Sequence, residues 1–488
     1  MKKYLVITIG TRDLMFRAND NIWYNVGNDR QKDDIISEQN QVTASLGLDW
    51  EEYKSFRKLS HYLWENYVTY GDRLLPAIWG QLLTDLKPDL ETIYLIGTNQ
   101  PQALPRHQEK DTLYAAEILR AYCENQGLAA EVISLGSDKI NPTDFDQMLQ
   151  WWQQTLTETI KVGDRPVVLC LKGGIGQTAE AGRIAALGTY GEQVAFYDAI
   201  EKPELNRQGI PSPYIGPSLG TNYLWSRVQK QALALLQSHS YTAAEALLRP
   251  YFKQDPQGWS ATPNLLKGAI AWNQGQFQAF VKLAESALDR NQIKQTETYW
   301  WQAYEQAYTA VVRLKQNNTT EAMQHSFRAV EGLLYEWLQA KLSKHLAVAH
   351  SDGYLLIKCS ILEEYPALRS LFIHNARTIQ ARLHVLAELV AQVQPATFNS
   401  EAFRAWNNRK ASTTRNEVSH KLGGISEQKL FQSWGHDLRT IQDWEKRILD
   451  CLNQITGKSF YGFQNASLFP VVQYQIQTAI RNYSPTLR

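Results

Sequence analysis

Three side chains that could cleave a phosphodiester lie within a six-residue segment near the C-terminal end of the chain. Arg415, Asn416 and His420 belong to the segment RNEVSH. Cleavage of RNA through the ribose 2′-hydroxyl needs proton transfer and stabilisation of negative charge on the phosphorus oxygens. An imidazole can serve the first need, and the forked guanidinium of an arginine can serve the second. The segment therefore offers a phosphate ligand, an amide and a proton-transfer group, and this chemistry requires no metal ion.

The surroundings of this segment are basic. Between Phe403 and Lys421 the chain has one acid, Glu417, and five basic residues, which are Arg404, Arg409, Lys410, Arg415 and Lys421. The whole chain carries a formal net charge of +1, so any contact with a nucleic-acid backbone must come from a local patch of this kind. A solvated helix face is the alternative interpretation, since most charge clusters are of that type.

A helix is expected to position the motif. Thr414 and Glu417 fit a capping box, with Thr414 as the N-cap and Glu417 at the third helical position. Arg415 would then lie in the first turn, where free backbone amides favour an anion. Asn416 and His420 are four residues apart and would share one face. Because the pattern is short, a salt-bridged arginine beside an unrelated histidine is its structural alternative.

The sequence contains no metal-binding motif. It has no HExxH, no close His/Cys cluster and no paired-carboxylate motif. The cysteines are far apart and form no CxxC pair; they are Cys123, Cys170, Cys359 and Cys451. This spacing argues against a zinc ribbon or a disulfide scaffold and fits a reducing cytosol. We therefore expect no metal site and a cytoplasmic location.

Length and hydropathy limit the class of protein further. A chain of 488 residues suggests two to four domains. The opening MKKYLVITIG has a short apolar run without a small-residue cleavage site, so it predicts a first β-strand and not a signal peptide. No run of 18 apolar residues occurs, and no membrane span is expected.

Strand and helix patterns alternate over the first 200 residues. Apolar, β-branched runs occur at Tyr4–Thr11, Thr92–Thr98, Ala130–Leu135, Val167–Leu171 and Val194–Tyr197. Helical patterns between them include Thr112–Gln126, Thr143–Ile160 and Gln177–Tyr190. This alternation predicts a Rossmann-like α/β domain with a parallel sheet covered on both faces. The stretch Leu14–Leu75 is a long insertion after the first strand.

A segment rich in proline and glycine, Glu201–Asn222, separates this pattern from a helical second half. Its four prolines and three glycines predict a linker that sustains neither helix nor strand. Beyond it we expect an all-α connector at 223–310 and an α-helical bundle at 311–488. Two apolar stripes at helical spacing support this expectation. One is Met323, Phe327, Val330, Leu334 and Trp337, and the other is Ile379, Leu383, Leu386 and Val390.

Small and polar residues follow three of the predicted strands, at the edge where open parallel sheets bind ligands. The segments are Gly10–Asp13 (GTRD), Gly97–Gln100 (GTNQ) and Lys172–Thr178 (KGGIGQT). Glycines let backbone amides approach a ligand, a following helix N-terminus favours a phosphate, and Arg12 and Lys172 add positive charge. For any one of these segments, a tight turn without a ligand is the alternative.

These strand ends resemble those of CRISPR-associated Rossmann-fold (CARF) sensor domains. The resemblance rests on ITIGT, on IYLIGTNQ with the helix KDTLYAAEILRAY after it, and on VVLCLKGGIGQT, and it covers roughly residues 1–200. It implies a domain that dimerises and binds a cyclic oligoadenylate across its two-fold axis. The pocket residues that it implies are Gly10, Thr11, Arg12, Thr98, Asn99, Gln100, Lys172, Gly173, Gly174 and Thr178.

The C-terminal motif resembles the R-x4-6-H motif of HEPN (higher eukaryotic and prokaryotic nucleotide-binding) ribonuclease domains. RNEVSH fits it, and HSFRAVEGLLYEWL resembles an early helix of that bundle. The resemblance implies a homodimer in which two motifs face each other in one composite active site. Arg415 would bind the scissile phosphate, His420 would act in proton transfer or charge stabilisation, and Asn416 would position them. Glu331 would orient the site or be a plain surface acid.

The order of sensor, connector and nuclease is similar to that of the accessory ribonucleases of type III CRISPR systems. It implies a metal-independent endoribonuclease for single-stranded RNA, with no cofactor, activated by cyclic oligoadenylate. Cyclic tetra-adenylate is favoured over hexa-adenylate as the activator. Some relatives cut their own ligand, and Thr11 is the candidate for that step, or it merely hydrogen-bonds the ligand.

Two other functions are weighed against this one. A cyclic-nucleotide-binding regulator without nuclease activity is disfavoured by the intact RNEVSH. A dinucleotide-dependent enzyme is disfavoured because no GxGxxG follows the first strand.

Overall fold

The computed structural model describes residues 2–27, 38–100, 105–136, 140–163, 165–347, 355–373, 376–420 and 422–485. The chain divides into two compact units. Unit 1 is Met1–Ser226 with Ser484–Arg488, and unit 2 is Arg227–Tyr483. Within the described ranges, no helix combines the length and the apolar character needed to cross a membrane.

A mainly parallel sheet forms the centre of unit 1. The strands of this unit are β1 (Lys3–Thr8), β2 (Leu14–Arg17), β3 (Trp23–Asn25), β4 (Leu74–Pro76), β5 (Leu90–Thr98), β6 (Ala129–Leu135), β7 (Val167–Cys170), β8 (Val194–Ala199) and β9 (Tyr214–Leu219). Of the described strands, six form one sheet in the order β6-β5-β1-β7-β8-β9. All neighbours pair in parallel except β8 and β9, which are antiparallel. The predicted Rossmann-like α/β fold is confirmed.

Helices cover both faces of this sheet. The described helices of unit 1 are α1 (Glu38–Leu46), α2 (Trp50–Tyr53), α3 (Phe56–Glu65), α4 (Tyr67–Tyr70), α5 (Gly80–Leu86), α6 (Pro105–Gln108), α7 (Leu113–Asn125), α8 (Phe145–Gln154), α9 (Gly176–Tyr190) and α10 (Pro203–Asn206), and α11 (Gly220–Gln237) begins in unit 1 and continues into unit 2. In β1, Leu5 and Ile7 join one buried cluster and Val6 joins the other. Successive side chains of a strand point to opposite faces, so the continuous apolar run of β1 fits a strand buried on both sides.

The insertion after β1 is a folded part of unit 1. Strands β2, β3 and β4 form a small antiparallel sheet in the order β3-β2-β4. Phe56 and Leu59 of α3 belong to the same buried cluster as Leu5 of β1. The insertion is therefore anchored to the main sheet by apolar contacts.

The segment Glu201–Asn222 differs from the predicted linker, because it contains α10 and β9 and α11 begins at Gly220. β9 is an edge strand, and its register against β8 shifts between Phe196 and Asp198. A proline such as Pro217 is tolerated at an irregular sheet edge, where an amide proton is not needed for the ladder. Composition predicted a break, and pairing with β8 overrode it.

Unit 2 is largely helical. Beyond α11, its helices are α12 (Tyr241–Gln254), α13 (Thr262–Asn273), α14 (Phe277–Ala284), α15 (Arg290–Gln295), α16 (Trp301–Lys315), α17 (Thr319–Leu342), α18 (Leu383–Val393), α19 (Pro395–Asn399), α20 (Glu401–Trp406), α21 (Arg409–His420), α22 (Glu427–Trp434), α23 (Ile441–Thr456), α24 (Phe463–Ala466) and α25 (Phe469–Asn482). The first predicted stripe, from Met323 to Trp337, is buried in α17. The predicted boundary at residue 310 falls inside α16.

A small antiparallel sheet interrupts the helices of unit 2. Its described strands are β10 (Leu346–Ala347), β11 (Leu356–Lys358) and β12 (Thr378–Gln380). Ile379 therefore belongs to β12, and the prediction that it shares a helix stripe with Leu383 is wrong. The short segment Thr378–Gln380, centred on a β-branched residue, pairs as a strand, and helix α18 begins at Leu383.

Candidate functional site

The RNEVSH motif lies in α21, which packs against α17, α20 and α22. Because α21 begins at Arg409, Thr414 lies in its interior, and the predicted N-cap and capping box are wrong. Arg415 is accordingly not in the first turn. Ala411 and Thr414 are buried, and this packing extends the helix in the N-terminal direction from the motif, because tertiary contacts stabilise most helices in proteins.

One face of α21 points to solvent. Asn416 and His420 are both exposed on it, together with Arg409 and Thr413. Ala411, Thr414 and Val418 are buried on the other side and anchor the helix. The predicted common face of Asn416 and His420 is confirmed, and an imidazole in this position is accessible to a polynucleotide.

Arg415 is held against the neighbouring helix α17. Its Nη1 lies 3.3 Å from Oε2 of Glu331, and the side chains are 22% and 36% exposed. About a fifth of the Arg415 side chain remains accessible beside this ion pair. Glu331 therefore contacts Arg415 directly, as the orienting role suggested for it requires.

The basic surroundings of the motif are present in part. Arg404 and Arg409 are exposed, and the acid Glu417 is paired with Lys429 at 2.7 Å. The side chain of Lys410 and the whole of Lys421 lie outside the described residues. Among the described side chains of the patch, Arg404 and Arg409 are thus the cations exposed to solvent.

In unit 1, the three predicted segments meet at one edge of the sheet. β1 pairs with β5 on one side and with β7 on the other, all in parallel. A β-carbon on Gly10 would lie 2.9 Å from the Gly174 nitrogen, and one on Gly173 would lie 2.4 Å from the Gly10 nitrogen. These glycines are therefore required by backbone contact between the two turns, and Gly174 also has a φ of 89°.

Positive charge lines this edge. Lys172 is exposed, and α9 begins after Ile175 with no side-chain cap. Its first-turn amides are donors of the kind that bind phosphate. Arg12 pairs with Glu201, which follows β8: its Nη1 lies 2.9 Å and 3.1 Å from the two carboxylate oxygens.

The residues after β5 are tied into a polar network. Thr98 Oγ1 accepts from the amide of Thr112 at 3.0 Å. The amide and side chain of Gln100 donate to Asp111 at 2.6 Å and 3.0 Å. Arg57 of α3 donates to Asp111 at 2.7 Å and to the side-chain oxygen of Asn99 at 3.0 Å. This network fixes the strand end and connects it to the insertion.

The predicted pocket residues therefore differ in accessibility. Gln100 is buried, and so is Thr178, whose hydroxyl donates to the carbonyl of Pro142 at 3.1 Å. Gly10 is buried as well. At least partly accessible are Thr11, Arg12, Thr98, Asn99, Lys172, Gly173 and Gly174. The edge thus presents two cations, hydroxyl and amide groups and free backbone.

A buried carboxyl lies directly beneath this edge. Asp13 is 1% exposed, and its Oδ2 accepts the amide of Gly10 at 2.6 Å. Burial raises the pKa of Asp13 to about 7, with a smaller contribution from the charge of Glu201 and against the lowering effect of the Gly10 amide. Asp13 thus stabilises the Gly10 turn from below and can change charge near neutral pH.

Sequence reasoning did not select Asp13, Glu201, Arg57 or Asp111. Asp13 is the last residue of the predicted segment Gly10–Asp13, but it was not among the implied pocket residues. Arg57 and Glu201 lie far along the chain from the residues that they contact, and no local pattern marks them. Asp111 lies 11 residues after Gln100, in the helix segment KDTLYAAEILRAY.

Two further observations bear on ligands. No group of three or more His, Cys, Asp or Glu residues suited to a metal occurs in the part of the chain that the structure describes. A surface depression of about 760 Å³, lined in part by Lys2, Leu90 and Ala129, lies at the opposite edge of the sheet, where β5 and β6 begin. It does not coincide with the predicted crevice.

Comparison with known proteins gives a structural relationship. No protein-family model matches the chain, and no curated protein matches it in sequence. The solved structure of Csm6 from Enterococcus italicus, bound to cyclic hexa-2′-fluoro-hexa-dAMP, is similar in fold with a TM-score of 0.61. The match covers 98% of this chain and 100% of that one at 12% identity. The chain therefore has the fold of Csm6 over nearly its whole length, as the resemblance seen in the sequence predicted.

Proposed function

We propose that this protein is a metal-independent endoribonuclease of type III CRISPR defence that cleaves single-stranded RNA when its sensor domain binds a cyclic oligoadenylate. The fold supports the proposal, because Csm6 is a CRISPR-associated ribonuclease with CARF and HEPN domains. The observation that carries the nuclease assignment is the exposed face of α21, with Asn416 and His420 beside an Arg415 that contacts Glu331.

The proposed reaction uses the RNA's own 2′-hydroxyl as the nucleophile. The 2′-oxygen attacks phosphorus and gives up its proton, and the bond to the 5′-oxygen breaks as that oxygen gains one. A 2′,3′-cyclic phosphate and a 5′-hydroxyl result. Arg415 binds the scissile phosphate and stabilises the charge on the non-bridging oxygens, His420 transfers a proton or stabilises charge, and Asn416 positions these two side chains. Two copies of the motif form the active site in a homodimer.

The proposed activator site is the carboxyl edge of the sheet in unit 1. Arg12, Lys172 and the free amides around Gly174 and the start of α9 bind the phosphates of the ring. Thr11 is the candidate for slow cleavage of the ring or for a hydrogen bond to it. Gly10, Gly173, Thr98, Gln100 and Thr178 shape and support the crevice, and Asn99 lies at its surface.

The RNA cleavage assay described below determines the size of the activator ring. The resemblance allows both cyclic tetra-adenylate, which we favour, and cyclic hexa-adenylate, and the Enterococcus italicus Csm6 was solved with a cyclic hexamer. Domain roles are proposed as a sensor over 1–200 and a nuclease over 311–488, joined by the connector at 223–310, in a cytoplasmic homodimer.

The decisive experiment is an RNA cleavage assay with the full-length protein, a fluorescent single-stranded RNA and chelator in place of metal. Each ring size is added separately. We expect cleavage to depend on one ring, and Arg415→Ala and His420→Ala each to lower the rate by about 10²-fold or more. Arg415→Lys should restore little, because lysine lacks the guanidinium fork.

His436→Ala is the matched control, because His436 is an exposed histidine of unit 2 outside the motif. It should cleave like the unaltered protein, and circular dichroism should show all variants folded. Full activity of His420→Ala with contaminating nuclease excluded would refute the assignment of this site. A protein that binds a ring yet never cuts RNA would instead be a cyclic-nucleotide-binding regulator without nuclease activity, one of the two alternative functions given under Sequence analysis.

A further inference from the structure

The Arg12–Glu201 ion pair spans the proposed activator site. Arg12 follows β1 and Glu201 follows β8, and β7 lies between these two strands in the sheet. The ion pair therefore bridges the end of β7, where Lys172, Gly173 and Gly174 begin the turn into α9. It lies at the edge where first-turn amides of α9 would meet a phosphate.

The geometry makes the Glu201 carboxylate compete with a ligand phosphate for the guanidinium of Arg12. Both carboxylate oxygens lie within 3.1 Å of Arg12 Nη1, and the side chains of Arg12 and Glu201 are 36% and 28% exposed. An incoming phosphate and the Glu201 carboxylate seek the same guanidinium donors. A phosphate that takes over the hydrogen bonds of Arg12 Nη1 displaces the Glu201 carboxylate, and an undisplaced carboxylate repels the phosphate.

We infer that Glu201 is an affinity-determining residue whose carboxylate must be exchanged for a ligand phosphate when the crevice is occupied. The inference rests on the proposed function and deepens it. Displacement weakens every phosphate ligand of Arg12 by a similar factor, so it lowers their affinities without altering the ratio between them.

The test compares Glu201→Gln with the unaltered full-length protein. Calorimetric titration with cyclic tetra-adenylate, cyclic hexa-adenylate and inorganic pyrophosphate gives the affinities. For each ligand that binds, Glu201→Gln should lower Kd by about five-fold, the scale of a partly exposed ion pair. The activator concentration for half-maximal RNA cleavage should fall by a similar factor.

Two controls separate ion-pair exchange from general effects. Glu204→Gln removes an exposed acid three residues away and should change Kd by less than about two-fold. In an Arg12→Ala background, Glu201→Gln should lose most of its effect, because the exchanged partner is gone. A merely structural role of Glu201 would not depend on Arg12.

The outcomes are distinct. Weaker binding of the ring by Glu201→Gln would show that Glu201 contacts the ligand itself and would overturn the inference, and so would an unchanged Kd. If the unaltered protein bound neither ring, the proposed function would fail, and the pyrophosphate titrations would still decide the role of Glu201.

Discussion

At the scale of single residues, the two candidate sites are built differently. In α21 the side chains of Asn416 and His420 are at the surface, and Arg415 forms an ion pair with Glu331. At the sheet edge, in contrast, a buried carboxyl supports the backbone. Asp13 accepts the Gly10 amide at 2.6 Å, and its Oδ1 has no hydrogen-bond partner among the described residues. Such a group is sensitive to pH, because its charged form is poorly solvated.

Asp13 predicts a pH-dependent stability. Its pKa rises from 3.8 to about 7 on folding, so between these values the unfolded chain loses the proton while the folded chain keeps it. The contribution of Asp13 to the free energy of unfolding is fully present below pH 4 and is lost as the pH rises through 7. In Asp13→Asn, which keeps an acceptor for Gly10, that loss should be absent. Between pH 4 and pH 7, the free energy of unfolding of the variant should therefore increase relative to that of the unaltered protein by on the order of 2 to 4 kcal/mol.

Urea unfolding midpoints measured across this pH range test the prediction. Asp20→Asn is the control, because Asp20 is exposed and the Ile22 amide and Tyr24 lower its pKa, which places its effect below pH 4. A pH profile of Asp13→Asn that parallels the unaltered protein would contradict the assignment of the titration to Asp13.

At the scale of elements, α16 is fixed by one fully buried acid. The carboxylate of Glu305 accepts hydrogen bonds from Trp272 of α13 at 2.8 Å and Trp301 of α16 at 2.9 Å. It also accepts from the hydroxyl of Ser467 and the amide of Leu468, both at 2.6 Å, just before α25. Burial raises the pKa of Glu305 against these donors. The carboxylate therefore joins three helical elements of unit 2.

Replacing Glu305 should destabilise unit 2. Glu305→Ala leaves buried indole, hydroxyl and amide donors without their acceptor, so we expect the free energy of unfolding to fall by about 3–5 kcal/mol. Thermal unfolding should show the loss as a lower Tm. Glu297→Ala, at an exposed acid near the same helix, should change stability by less than about 0.5 kcal/mol. Equal effects of the two substitutions would argue against the proposed role of Glu305.

At the scale of the whole molecule, the Csm6-like fold has the predicted crevice in unit 1 and the RNEVSH segment in unit 2 of one chain. Rossmann-like sheets also bind dinucleotides, so ligand identity is the property that separates the candidate functions. The strand ends here lack the GxGxxG turn and instead carry Arg12, Lys172 and an uncapped α9.

Ligand-induced stabilisation distinguishes these functions. A cyclic oligoadenylate at 100 times its Kd should stabilise the folded protein by about 2.7 kcal/mol, because it binds the folded state and not the unfolded chain. A thermal-shift series with both rings and with NAD measures this. NAD should produce no shift, and a shift with NAD alone would revive the dinucleotide-dependent enzyme.

The sequence by itself determined the parallel sheet, its covering helices and the buried stripe of α17, and it singled out both candidate sites, which stay predictions. These features rest on local periodicity and on short segments, which the chain displays without folding. The tertiary structure alone decided the rest. Thr414 became a helix-interior residue through packing, β9 formed in a proline-rich segment through pairing with β8, and Glu201 reached Arg12 from 189 positions away along the chain. Contacts between distant segments leave no local pattern, because they are set by how the elements assemble.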